Sequence, residues 1–497
     1  MSRAISRALV GGAFALYAVL HLVTVGRSHI PWFDDTFFAS VADTLRKTGE
    51  FRLTVSPLWF PQPVYLYGPI YFLLVAGSFT TLGFGVLQYR LTGLIAAFVL
   101  LAVAYRILHR EGVDRRIALS ACVLMALDPI LLEMLRIGRM DLLALLFFLL
   151  AYLLLIDSRT ASGRAALVFS AASGVLASLG VLTTPRPGYV LVPLGLILLA
   201  RCWTGPITSR VAQLVAWGIG FVLLVIVWIG YAFGGLRAVL AYFSEFAETY
   251  AGTGLATVSI QKPILAILLA LTVLTLVRQP RRLLHELPVF LGLGIVLFFL
   301  FVKNKGTFGG GYAILLIPFE YMALGWLIAS CPPLSGPRSR RVIQVGAFLP
   351  LLLLNGGAFL AIVASDGLLW PALDPSAAQR LIVEKIPPGS RVVGDDKFFF
   401  LVTQAGSEFQ YLERGGTVAE RVRFQTNTFD FDYLITSLDE GSEILSAYLA
   451  ATKLVKVGAI DPPTISSLTR YPLFARGKFM LWVFTTNYGG TLYERVR

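Results

Sequence analysis

Cysteine, histidine and charge are all scarce in this chain. Of its 497 residues, three are cysteine and four histidine. Cys122 stands within an apolar run and Cys202 and Cys331 at the ends of others, so there is no disulfide framework, no CxxC pair and no His/Cys metal cluster. Only 14% of residues are charged, whereas 56% are hydrophobic and the mean hydropathy is +0.74. Composition of that kind excludes a soluble globular protein of this size. A phosphate-loop motif, a low-complexity tract and a convincing internal repeat are missing too. The lack of a repeat counts against an inverted-repeat transporter. The first apolar run is long enough to span a bilayer and has no small-residue cleavage site after it, so it reads as an anchor and not as a signal peptide. What remains is a polytopic α-helical membrane protein.

The net charge of +13 is unevenly placed. Much of it lies in the short loops His109–Arg116, Asp157–Arg164, Arg201–Arg210, Arg278–Glu286 and Pro337–Arg341. Short basic loops mark the cytoplasmic side, so this charge reports orientation and not nucleic-acid binding. With these loops inside, spans fall near 8–26, 87–108, 117–135, 142–157, 165–183, 188–203, 211–233, 263–278, 287–302, 312–329 and 342–363. These about 11 crossings put the N-terminus in the cytoplasm and the C-terminus outside. Tyr65–Gly85 is apolar enough to cross, but a crossing there would invert every later loop. It is read as interfacial or re-entrant, the alternative being an ordinary span with the charge rule broken elsewhere.

Two external loops are long. The first, 27–86, carries Phe37, Phe38, Val41 and Leu45 on one helical face with Asp43, Arg46 and Lys47 opposite, the pattern of a helix lying in the interface. The fourth, 234–262, repeats the device with Leu236, Val239, Leu240, Phe243 and Phe246 against Glu245 and Glu248. Residues 1–366 thus form the membrane domain. The composition then turns mixed and charged, and 367–497 reads as a small exported α/β domain. Its expected strands are Arg391–Val393, Phe398–Val402, Tyr433–Thr436 and Phe479–Phe484, and its expected helices Ser376–Glu384 and Glu443–Ala450.

Chemistry-bearing residues gather on the external side. Asp34 and Asp35 follow the first span. One of them would suffice to cap the interfacial helix, and the other reading is a general base working at the membrane surface. Arg136, Arg139 and Asp141 share the short loop after the third span, where a turn with an Arg–Asp ion pair is the plain alternative. Arg186, Lys262, Lys303 and Lys305 place positive charge outside, against the trend of insertion. A phosphate or diphosphate on a lipid would account for it, as would snorkelling to ordinary anionic headgroups. Tyr312 follows the run Gly309-Gly310-Gly311. His29 is a weaker candidate because of its closeness to Asp34, and His21 reads as a helix-contact residue.

Trp32-Phe33-Asp34-Asp35-Thr36-Phe37-Phe38 resembles the first-loop acidic motif of the GT-C glycosyltransferases, most nearly that of protein O-mannosyltransferases and of the bacterial aminoarabinose transferases that modify lipid A. Asp34 matches the Asp taken as catalytic there, and Asp35 stands where Glu is usual. Tyr67-Gly68-Pro69-Ile70-Tyr71, Gln88-Tyr89-Arg90-Leu91 and Arg139-Met140-Asp141-Leu142-Leu143-Ala144 resemble later segments. Arg186 falls where several members carry a Lys thought to meet the lipid phosphate. Lys305 through Tyr312 to Pro318 resembles a late basic-to-Tyr-to-Pro pattern. The resemblance covers about residues 1–330.

It implies a plasma-membrane (bacterial inner-membrane) enzyme that moves a sugar from a polyprenyl-phosphate donor to a hydroxyl of a lipid, glycan or protein acceptor on the outer face, with inversion. Asp34 would be the base, with Asp35 and Asp141 as further catalytic carboxylates. Arg139, Arg186, Lys303, Lys305 and Tyr312 would hold the donor phosphate. No cofactor is implied with certainty, and a divalent cation (Mg or Mn) held by Asp34 and Asp141 is the one candidate. The rivals are a lipid-linked sugar flippase with an exported sensing domain, for which Asp128 and Glu320 would be deep acidic groups, and an envelope-synthesis scaffold.

Overall fold

Apolar runs separated by short basic loops leave the backbone no option in lipid but helix, and helices make up most of the chain. The computed structural model describes residues 3–28, 30–59, 62–65, 67–203, 207–250, 262–302, 310–330, 337–461 and 487–497. Helix α1 covers Arg3–Thr24, α2 Phe33–Thr48, α3 Pro69–Leu82 and α4 Val86–Arg110. They are followed by α5 (Arg115–Ala126), α6 (Pro129–Met134), α7 (Asp141–Thr160), α8 (Gly163–Val181), α9 (Leu191–Trp203) and α10 (Ile207–Phe233). Then come α11 (Leu236–Tyr250), α12 (Lys262–Arg278), α13 (Glu286–Leu297), α14 (Ile317–Ser330) and α15 (Pro337–Leu369). By length and composition, α4, α7, α8, α10 and residues 342–367 of α15 are long and apolar enough to cross a membrane.

Two expectations are corrected in this part. The third span, 117–135, is broken after α5. Asp128 caps α6, accepting hydrogen bonds from the backbone N–H of Ile130 (2.9 Å) and Leu131 (3.3 Å), and Pro129 cannot continue the preceding helix. The other Asp128 oxygen accepts from the Tyr321 hydroxyl at 2.9 Å, so this deep carboxylate is held by a local structural task. The expected span 312–329 begins instead with a 3₁₀ turn over Gly310–Leu315, and its α-helix starts at Ile317. Helix α3 has 14 residues, a length of about 21 Å at 1.5 Å per residue, short of the ~30 Å apolar core of a bilayer.

Helix α2 also differs from expectation. Its apolar residues Phe37, Phe38 and Val41 are buried, and so is every other residue from Asp35 to Asp43. Asp43, expected on the wet face, lies beneath Arg46 (2.7 Å) and Lys47 (2.6 Å). Arg46 and Lys47 stay exposed as expected, and the C-terminal domain meets the N-terminal end of this face, where Thr36 Oγ1 donates to the Asp396 carbonyl.

That domain opens with α16 (Ser376–Lys385) and holds a five-stranded sheet in the order β2-β1-β3-β5-β4. The strands are β1 (Arg391–Gly394), β2 (Glu408–Tyr411), β3 (Tyr433–Thr436), β4 (Leu454–Ile460) and β5 (Gly490–Arg495). β1 runs parallel to β2 and β3, while β5 is antiparallel to β3 and β4. Helices α17 (Phe399–Gln404), α18 (Val418–Asn427) and α19 (Glu443–Ala451) connect them. The expected strand Phe398–Val402 is therefore a correction, since it forms the end of a 3₁₀ turn and most of α17. Strands β2, β4 and β5 were not anticipated, and Phe479–Phe484 lies outside the described residues.

One apolar core runs without a break from Val25, Phe38 and Tyr71 through α4 and α7 to Phe400, Tyr411 and Leu492. A second, small core including Val393, Leu434 and Tyr448 lies within the C-terminal domain.

Candidate active site

The N-terminal turn of α2 separates the two aspartates. Asp35, at the third helical position, reaches back to the backbone N–H of Trp32 (3.4 Å), the carboxylate half of a capping box. It also accepts from Arg90 Nη2 at 2.6 Å, and both side chains are wholly buried. Arg90 donates further to the carbonyls of Val25 (3.0 Å) and Ser28 (2.9 Å). The plain reading thus accounts for Asp35, which faces inward. Asp34 is one position earlier, and 19% of its side-chain surface remains open.

Asp34 accepts from Arg139 Nη1 at 2.5 Å, and Arg139 Nε donates to Asp141 at 2.8 Å. Asp141 begins α7 and has no exposed surface. Its second oxygen lies 3.6 Å from Arg186 Nη1, and Arg186 Nη2 donates to the Tyr67 hydroxyl at 2.6 Å. The Tyr312 ring lies 4.6 Å from the Arg139 guanidinium and 4.7 Å from that of Arg186. Asp34, Arg139, Asp141, Arg186, Tyr67 and Tyr312 form one cluster of alternating charge, opening at Asp34 and at Arg186, whose side chain is 21% exposed. Arg139 Nη2 and Arg186 Nη1 are buried and donate no hydrogen bond among the described residues. A buried, unused guanidinium N–H is costly and calls for an acceptor.

Two glycines allow the segments to approach. A Cβ on Gly68 would lie 1.9 Å from the Leu182 carbonyl oxygen, so only glycine lets the start of α3 lie against the end of α8. The contact brings Tyr67 to Arg186. Gly138 has φ +46° and would place a Cβ 2.3 Å from the Tyr89 ring. Its carbonyl accepts from the hydroxyls of Tyr89 (2.6 Å) and Tyr71, which fixes the loop that carries Arg139.

Burial opposes the charge on Arg139 and Arg186, but Asp141, Tyr312 and Asp34 around Arg139, and Tyr312, Tyr67 and Asp141 around Arg186, outweigh it and hold both guanidiniums charged, above the usual arginine range. A divalent cation fits this donor set poorly. Asp34 and Asp141 both direct carboxylate oxygens at Arg139, which takes the position a shared cation would need.

Of the residues expected at the site, the structure brings together Asp34, Asp141, Arg139, Arg186 and Tyr312. Arg136 turns away, pairing with Asp366 at 2.5 Å and with Ser28 Oγ at 2.8 Å. Lys303, Lys305 and His29 lie outside the described residues, as does the side chain of Lys262. Arg90 and Tyr67 were missed as functional partners. The signal for Arg90 was an arginine five positions into an apolar helix, which demands a buried partner.

Helix α7 relates the cluster to the bilayer. Asp141 stands at its first residue. At the other end, Asp157 pairs with Arg110 (3.1 Å), and Arg159 pairs with Glu111 (3.2 Å). Twenty residues rise about 30 Å, so the cluster and the basic loops lie on opposite faces.

Comparison with known proteins agrees with this architecture. Residues 67–229 match the family model described as dolichyl-phosphate-mannose-protein mannosyltransferase. No curated protein matches the chain. Among solved structures, ArnT from Cupriavidus metallidurans in the apo state is similar with a TM-score of 0.63 and 13% identity, over 99% of this chain and 98% of that one. The same protein bound to undecaprenyl phosphate gives 0.65 and 13%, over 98% of each chain. The arabinofuranosyltransferase AftD from Mycobacteria gives 0.54 and 15%, over 97% of this chain and 39% of AftD. The matched family and both neighbours are glycosyltransferases, and the chain has their GT-C fold.

Proposed function

We infer that the chain is a membrane glycosyltransferase that takes its sugar from a polyprenyl-phosphate carrier and passes it to an acceptor hydroxyl on the extracytoplasmic face. The observation that carries this reading is the pairing of one open carboxylate, Asp34, with two arginines that each keep a buried nitrogen making no hydrogen bond among the described residues, Arg139 Nη2 and Arg186 Nη1. A phosphate monoanion or dianion is what such donors accept best. The complex of the similar ArnT with undecaprenyl phosphate supports a lipid phosphate as that anion.

In this mechanism Asp34 takes the proton of the acceptor hydroxyl as its oxygen bonds to the anomeric carbon. The bond from that carbon to the carrier phosphate breaks, and the phosphate leaves with the electron pair. Arg139 and Arg186 meet the negative charge that develops, in a water-poor pocket that needs no rearrangement. Attack opposite to departure inverts the anomeric centre in a single displacement. Tyr312 holds the two guanidiniums side by side through its ring faces. Asp141 keeps them oriented and prevents their mutual repulsion. Asp35 supports α2 from within. Lys303 and Lys305 keep their proposed part in donor binding from the sequence alone. The N-terminus is cytoplasmic and the C-terminal domain extracytoplasmic in this reading, which agrees with the separation of the cluster from the basic loops along α7.

The test is transfer of radiolabelled sugar from a panel of polyprenyl-phosphate sugars by membranes holding equal amounts of wild type or Asp34→Asn. The wild type is expected to label a product, and the variant to be slower by about 10²–10⁴-fold. Equal labelling by both proteins sinks Asp34 as the base.

A further inference from the structure

The sheet of the C-terminal domain has a feature that the reaction above leaves unused. From β1 the chain passes through α17 to β2, on one side of the sheet, whereas from β3 it passes through α19 towards β4, on the other. Adjacent parallel strands whose connections diverge leave a crevice at their carboxyl ends, the usual ligand position of open α/β sheets. Here that edge carries Asp395-Asp396 after β1 and Thr436-Ser437 at the end of β3. Asp395 closes it from within, accepting from Thr436 Oγ1 (2.9 Å), Ser437 N (2.6 Å) and Ser437 Oγ (2.6 Å).

The same edge is set against the N-terminus of α2. Thr36 Oγ1, two residues after Asp34, donates to the Asp396 carbonyl at 3.1 Å. At the carboxyl end of β2, the Tyr411 hydroxyl donates to the Phe33 carbonyl at 3.1 Å, and the Arg414 guanidinium lies 4.7 Å from the centre of the Phe33 ring. Phe33 meets Trp59 at 4.5 Å and Tyr411 at 5.6 Å between ring centres. The Asp396 carboxyl group, half-buried, makes no hydrogen bond or ion pair among the described residues. Its charged neighbours are Arg414, which favours ionisation, and Asp395, Glu413 and Asp34, which oppose it. Burial is the largest influence and pushes the carboxyl up to about 7.

We propose that Asp396 and Arg414 form the acceptor half of the active site, and that the acceptor they hold against Asp34 is a sugar residue bearing neighbouring hydroxyls. The inference rests on the transferase reading. Two carboxyl groups and a guanidinium offer the acceptors and donors that a diol needs, and the half-exposed rings of Phe33 and Trp59 offer an apolar face for the C–H side of a pyranose. A hydroxyl bound beside Asp396 lies within the reach of Asp34, which removes its proton. Asp396 thereby acts as a positioning and specificity residue, and the C-terminal domain is part of the site.

The experiment supplies one labelled polyprenyl-phosphate sugar to purified full-length protein with n-octyl glycosides or a serine-containing peptide as acceptor probes. It reads labelled glycoside, labelled peptide and free sugar released to water. For Asp396→Asn the ratio of glycoside product to free sugar is expected to fall about ten- to hundredfold, the worth of one hydrogen bond to a charged group, through a raised KM for the glycoside. Asp396→Glu should recover part of the ratio, and Arg414→Ala should lower it. A wild type that yields neither product nor free sugar overturns the transferase reading and this inference with it. A wild type that yields both, with an unchanged ratio in Asp396→Asn, overturns this inference alone. Label passing to the peptide and to none of the glycosides overturns the sugar class.

Discussion

Asp34 and Asp35 are neighbours with opposite tasks, and helix geometry divides them. A step of 100° about the axis sends one carboxylate to the cleft and the other to Arg90. Their substitution should fail differently. Asp35→Asn leaves the wholly buried Arg90 without its counter-charge, and loss of one partner of a buried pair costs about 3–5 kcal/mol. The expected result is a clear drop in thermal unfolding temperature in detergent. Asp34→Asn should unfold near the wild-type temperature and fail only in transfer. Equal melting temperatures for Asp35→Asn and wild type would show that the Arg90 pair is not the support described here. Sequence reading proposed Asp34, Asp141, Arg139 and Arg186 because charge on the outer side of a membrane protein stands out from its background, and Tyr312 because it follows a glycine run, and the structure sets these five side by side. It could not divide the acidic pair, since Arg90 is 55 residues away from Asp35.

At the scale of elements, α2 and α17 show what periodicity can and cannot tell. Phe37, Phe38, Val41 and Leu45 repeat at helical spacing, and the helix is there. The burial of the N-terminal part of its other face was not legible, because the contact there joins Thr36 to Asp396, 360 residues later. Phe398-Phe399-Phe400-Leu401-Val402 has the aromatic and branched composition of a strand. All five residues are buried, whereas a strand sends successive side chains to opposite faces and suits this only between two layers. A helix turns them in sequence: Phe399 and Phe400 both meet Phe84, at 5.8 and 5.4 Å, while Phe400 also meets Tyr89 at 6.0 Å. Tertiary packing overrode composition. The junction of α2 with the sheet also carries a pH dependence. Asp396 titrates near 7 in the fold against about 3.9 in an unfolded chain. A raised carboxyl favours the protonated folded form, so its contribution is complete below about pH 4 and is lost as the pH rises through 7. Wild type is therefore expected to lose unfolding temperature between pH 5.5 and pH 8, and Asp396→Asn to lose less. Parallel losses in the two proteins would assign the effect to other groups.

For the whole molecule, the main apolar core does not stop where the composition changes. Phe399, Phe400, Phe409, Tyr411 and Leu492 belong to the same cluster as Phe38, Tyr71 and Leu100. The small second core, with Val393, Leu434 and Tyr448, is all that the C-terminal domain keeps to itself. Residues 367–497 produced alone should expose the Phe399–Tyr411 face, bind a hydrophobic dye and aggregate. A monodisperse, cooperatively melting fragment would show that the domain folds without the helices.

The clamp of Tyr411 and Asp396 upon Phe33 and Thr36 bears on how such a protein can be recombined. A graft that exchanged only the C-terminal domain with that of a relative would set a foreign sheet edge on a native α2. A working chimera has to transplant residues 30–59 together with 376–497, so the heritable module is discontinuous in the gene and continuous only in space.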